Sequence, residues 1–149
     1  MRPWLTRALG MALVHAVADT ALAKAAVYEP TGLTTPRIIA IALLVGVAAL
    51  WSAADAMLGR PDLGRTWLIA SLIAGPVSGV LYVVGRAVFV DSGGAGELWT
   101  AITGGAAFTA LLILIPAGLG MVVGARIKPP ARPTVPSPHP RDKSATEQG

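Results

Sequence analysis

From Leu98 to Ala125 the chain carries no charged side chain. A helix of about 20 residues, rising 1.5 Å at each, crosses the roughly 30 Å hydrocarbon core of a bilayer, so this run is long enough to span one. Three more stretches meet the same test. The first covers Ala8 to Val27, rich in alanine but holding His15 and Asp19. The second covers Ile38 to Leu58 and is uncharged as far as Ser52. The third covers Trp67 to Val90, with Pro76 inside it and Arg86 near its end. The fourth is taken as Leu98 to Val123. A soluble body of 149 residues has no interior for four such runs, because a chain of this size leaves roughly a third of its potential surface exposed. Charged residues are 13% of the chain against 54% hydrophobic, where roughly a quarter charged is usual. No ten-residue alternation of apolar and polar positions recurs, which argues against a membrane β-barrel. The expectation is an all-α polytopic membrane protein, a four-helix transmembrane bundle over residues 1–127.

The connections are short. Tyr28 to Arg37 contains Pro30, Gly32 and Pro36, which bar a continuous helix. Gly59-Arg60-Pro61-Asp62 and Asp91-Ser92-Gly93-Gly94 read as turns. Residues 128–149 hold Pro129, Pro130, Pro133, Pro136, Pro138 and Pro140 with little apolar between them. Such a segment buries too little surface to offset its ordering entropy, so it reads as a disordered cytoplasmic tail.

Basic residues are retained on the cytoplasmic side of membrane proteins. Four spans put Arg2, Arg7, Arg60, Arg65, Arg126 and the tail cations on one side, and Lys24, Arg37 and Arg86 on the other. Both termini are therefore expected in the cytoplasm of a multi-pass cell-membrane protein. This bias accounts for the net charge of +4 without a nucleic-acid partner. The opening also has the outline of a secretory leader: Arg2 and Arg7, an apolar run, then Ala21-Leu22-Ala23 as an A-x-A site. Asp19 beside that site and His15 within the run fit a leader poorly, and a retained first helix is the reading taken.

His15 and Asp19 stand four residues apart and share one face of the first helix. Ionisable groups deep in a span cost about 2.5–3.5 kcal/mol on insertion and usually face the bundle or water. A carboxylate beside an imidazole can exchange a proton near neutral pH; the alternative is a pair that only fixes packing. Arg86 lies near the same boundary and within reach of Asp19, so it reads either as the partner in an Asp19–Arg86 ion pair or as a side chain that snorkels to the interface. Asp55 reads as an interfacial charge beside Arg60 and Arg65. Pro76 and Pro116 free the carbonyls of Leu72 and Leu112, which can line a transporter core or merely mark kinks. Ser71, Gly75 and Gly79 step by four, and Gly120 and Gly124 make a GxxxG, the pattern of close helix packing. Trp4, Trp51, Trp67 and Trp99 stand near span ends, as an aromatic belt does. With no cysteine, two histidines and no phosphate loop, no enzyme, cofactor or metal site is expected.

Several stretches resemble a small actinobacterial family of four-span proteins described as bacterial four-helix drug/metabolite transporter-like. They are Arg2-Pro3-Trp4-Leu5-Thr6-Arg7, Val14-His15, and Trp51 with Asp55. Ala74-Gly75-Pro76-Val77-Ser78-Gly79, Gly85-Arg86 and Phe89-Val90-Asp91 follow, then the run from Gly104 to Leu112 and Pro116-Ala117-Gly118-Leu119-Gly120. The resemblance covers about Met1 to Arg126 and consists of packing and turn motifs. It implies a small-molecule transporter, with substrate unspecified and no residue role to carry over. Two functions follow as expectations: a proton- or cation-coupled transporter working as a homo-oligomer, or a non-transporting accessory or scaffold subunit of a larger membrane complex.

Overall fold

The computed structural model describes residues 3–90, 99 and 104–127. Within them lie four helices: α1 Pro3–Tyr28, α2 Thr34–Met57, α3 Leu63–Phe89 and α4 Ala106–Ile127. Their 26, 24, 27 and 22 residues make rods of about 39, 36, 40 and 33 Å at helical rise. Each is long and apolar enough to span a membrane, α1 being the least apolar of the four. No strand occurs among the described residues. The turn expected at Asp91 to Gly94 and the proline-rich tail lie outside the described residues, as does the start of the fourth span at Leu98 except for Trp99.

Helices α1, α2 and α3 begin earlier than hydropathy places them, and proline explains two of the starts. Pro3 opens α1, where its missing N–H has no intrahelical acceptor to lose. Pro36 does not interrupt the chain before α2; it sits in the first turn of that helix, for the same reason. The first i→i−4 bond there runs from the Arg37 amide to the Leu33 carbonyl at 3.0 Å. Only Glu29 to Leu33 is non-helical between α1 and α2. At the far end of α2 the Gly59 amide bonds to the Ala56 carbonyl at 3.0 Å and the Arg60 amide to the Asp55 carbonyl at 3.3 Å. This is a Schellman cap, and it requires Gly59 at φ 64°, where a Cβ would be strained. Pro76 and Pro116 lie within helices that continue past them.

Sequence neighbours are not the main packing partners. The broad interfaces are α1 with α3 and α2 with α4; α3 and α4 join these pairs, while α1 and α2 touch sparingly. Both pairs are parallel. Thr20 of α1 meets Gly85 of α3, and Gly120 and Gly124 of α4 meet Ala49 and Ala53 of α2. In lipid there is no hydrophobic gain in bringing helices together, so close backbone approach supplies the attraction. A Cβ at Gly120 would collide with the Ala49 carbonyl and the Ser52 hydroxyl, one at Gly124 with the Ala53 backbone, and one at Gly75 with the Ala106 carbonyl. Gly79 is half-buried. Where the helices meet, the core is small and apolar, built from Met11, Ala12, Ala48, Trp67, Ala74, Ile113 and Ala117. Outward faces carry Leu43, Leu50, Leu72, Ile115 and Leu119, each more than half exposed. Large exposed apolar surface on every helix suits hydrocarbon and not water.

Candidate functional site

Polar side chains gather at the two ends of the bundle and do different things there. At the end formed by the start of α1, the end of α2 and the start of α3, Asp55 is 3% exposed. This corrects the expectation of an interfacial charge. Arg7, equally buried, grips it with two charge-assisted hydrogen bonds, Nε to Oδ2 at 2.6 Å and Nη2 to Oδ1 at 2.7 Å. The Trp67 indole donates to Oδ2 at 3.3 Å, and Arg60, carried back by the Schellman turn, stands 3.3 Å from Oδ1. Arg7 also donates to the Pro3 carbonyl one turn earlier. Trp67 is fully buried and meets Trp51 edge to face, ring centroids 6.1 Å apart. It is therefore part of this plug and not of an interfacial belt. Gly10 makes room for Trp51, whose ring would stand 2.8 Å from a Cβ there. Arg7–Asp55 and Gly10–Trp51 thus fasten α1 to α2 here, and a cavity of about 350 Å³ at this end, walled by Trp4, Asp62 and Arg65, does not include Arg7 or Asp55 in its lining.

At the opposite end α1 and α2 part. A cavity of about 470 Å³ opens there, with Asp19 and Leu22 of α1, Arg37 of α2, and Tyr82 and Arg86 of α3 on its walls. Asp19 is half-buried and Arg37 exposed. Asp19 and Arg86 are brought to one cavity, yet they do not form an ion pair: among the described residues the ion pairs are those of Asp55 with Arg7 and Arg60. The Arg86 guanidinium instead lies over the Tyr82 ring, 5.8 Å from its centroid, with Nη1 3.5 Å from the phenol oxygen. A turn of α3 places Tyr82 four residues before Arg86, on the same face.

His15 lies one turn of α1 deeper than Asp19 and is 1% exposed. Its Nδ1 donates to the Met11 carbonyl at 2.9 Å, while Nε2 is buried with no hydrogen-bond partner among the described residues. An unmatched buried acceptor costs about 1–3 kcal/mol, so His15 is expensive as mere packing. Pro76 and Pro116 do not line the polar cavity, nor do Leu72 and Leu112. Lys24 is exposed on the outer α1/α3 groove, away from Asp19. No group of three or more His, Asp or Glu side chains that could hold a metal occurs among the described residues.

Arg37 and Tyr82 were invisible as cavity residues in the sequence. Arg37 reads as a loop cation before the second span, and Tyr82 as one more aromatic in the third. The pairing of α1 with α3 brings Tyr82 to the Asp19 cavity, and the first turn of α2 brings Arg37. The Arg7–Asp55 pair had a fainter trace: both residues fall at the same end of the four-span arrangement. Neither a protein-family model nor a curated protein sequence matches the chain.

Proposed function

We propose that this chain is a small multi-pass carrier of the cell membrane, both termini cytoplasmic, in which Asp19 with His15 beneath it takes up and releases a proton or small cation as a solute passes. The observation that carries the reading is the contrast between the two ends. Asp19 borders a polar cavity open at the Arg37 and Arg86 end, while Arg7, Asp55 and Trp67 close the other. A carrier needs a site reachable from one side at a time, and a closure made of hydrogen-bonded charges can exist in open and shut forms. The nine-to-three bias of basic residues supports an outward-facing cavity.

The test is Asp19→Asn in proteoliposomes loaded with a pH-sensitive dye, under an imposed pH gradient, with a panel of organic cations and anions added outside. Wild type moves protons when its solute is present; the variant melts as wild type does and moves none. Equal proton movement in both overturns the coupling role. An accessory subunit behaves otherwise: Asp19→Asn then alters stability or assembly, and wild type carries no flux.

A further inference from the structure

His15 sits one turn of α1 below Asp19 and just over two turns above Arg7, and it is 1% exposed. The bond to Met11 decides which ring nitrogen carries the proton. A carbonyl only accepts, so Nδ1, 2.9 Å from the Met11 oxygen, holds the hydrogen. Nε2 is then a bare lone pair, buried with no hydrogen-bond partner among the described residues. Ionisable groups near it are few. On α1 they are Asp19 one turn on and Arg7 two turns back; α2 has none between Arg37 and Asp55, α3 has Tyr82 alone between Arg65 and Arg86, and α4 has none before Arg126. What such a nitrogen can hold is narrow. Hard metal cations take about six or more oxygen ligands, whereas the core beside His15 is built from Met11, Ala12, Ala48, Ala74 and Ile113. The buried hydroxyls of Ser52, Ser71 and Ser78 donate back to carbonyls of their own helices. A proton needs one lone pair.

We propose that the coupling ion is a proton, that its inner seat is Nε2 of His15, and that Asp19 loads this seat from the cavity. In the loading step the O–H bond of the protonated Asp19 carboxyl breaks and an N–H bond forms at Nε2, which leaves a carboxylate beside an imidazolium; unloading is the reverse. Side chains on a helix lean toward its N-terminus, so the Asp19 carboxyl lies over the turn that carries His15. The proposal rests on the carrier reading for the word coupling but not for proton binding itself, so it is tested first without solute.

The chain has two histidines, and His139→Gln in the proline-rich tail leaves His15 as the sole one. That full-length protein, labelled in its histidine ring nitrogens and placed in liposomes, is read by solid-state nitrogen NMR from about two pH units below to about two above the ordinary imidazole value. At the alkaline end Nδ1 should be protonated and Nε2 bare; toward the acid end Nε2 should gain a proton while Nδ1 keeps its own. Asp19→Asn, which has no acid proton to give, should slow exchange at Nε2 about a hundredfold, the low end of what a positioned acid supplies. Exchanging potassium for sodium should leave both signals unchanged. A neutral ring protonated on Nε2, a ring that stays neutral throughout, a response to sodium, or exchange that is unaltered in Asp19→Asn overturns the proposal. His15→Leu removes an unmatched buried acceptor and should melt no lower than wild type, yet abolish solute-driven proton movement. Movement that survives His15→Leu overturns the seat and leaves the carrier reading to Asp19. An Nε2 that titrates as expected, in a protein that moves no protons with any solute, would sink the carrier reading and leave the seat standing.

Discussion

Replacing Asp55 by asparagine tests the closed end of the bundle at its centre. The carboxylate receives Arg7 at 2.6 and 2.7 Å, Trp67 at 3.3 Å and Arg60 at 3.3 Å. Arg60 is half-exposed at its side chain, so its share is small, under about 1 kcal/mol. Arg7 is different: without Asp55 it stays buried with only the Pro3 carbonyl as partner. Breaking a buried pair from one side costs about 3–5 kcal/mol, and the lower end applies here because asparagine retains one acceptor oxygen. A chain of this length loses roughly 2–4 °C per kcal/mol, which puts the fall in Tm at about 6–12 °C in detergent. Arg7→Met should cost less, because Asp55 keeps Arg60 and Trp67. Arg7→Met combined with Asp55→Leu removes both charges and should return to within about 2 kcal/mol of wild type, the remainder being the stranded Trp67 indole. Melting followed by intrinsic tryptophan fluorescence reads all four proteins. An Asp55→Asn variant that melts with wild type, or a double variant that melts no higher than Asp55→Asn, would refute the buried coupling.

Gly120→Leu should wedge α4 off the Ala49 carbonyl and cost about 1–3 kcal/mol or more, seen as a lower midpoint in detergent, whereas Gly46→Ala, with open space around it, should not. Alkaline phosphatase fused after Lys128 should be inactive and a fusion within Ser92 to Gly96 active; the reverse pattern would invert the assigned orientation.

Helix number and place were legible because length and apolarity alone decide what crosses a bilayer, as at Ile38 to Leu58. Helix starts were less so: Pro36 reads as a breaker, and only its first-turn position makes it harmless. Spacing exposed the close packing of Gly75, Gly120 and Gly124, while the lone Gly10 and Gly85 carried no pattern to find. The choice of partners was hidden. Short loops do not reveal that α1 packs mainly on α3 and only sparingly on α2, so the sequence places Asp19 near Arg86 but leaves Tyr82 and the burial of Trp67 unread. Asp55 reads as interfacial and is buried, Trp67 reads as a belt residue and is core, and Asp19 and Arg86, which could have paired, line one cavity without an ion pair between them.

With no native cysteine, single cysteines can report water access directly. The central claim is a cavity open at the Arg37 end and shut at the Asp55 end, and Ala26, on the cavity wall, with Ala8, buried near the plug, decides it. A membrane-impermeant maleimide added to intact cells should modify Ala26→Cys and leave Ala8→Cys untouched, with Ala8→Cys also silent in inverted vesicles. Labelling of Ala8→Cys in inverted vesicles while Ala26→Cys stays unmodified in cells would contradict the account.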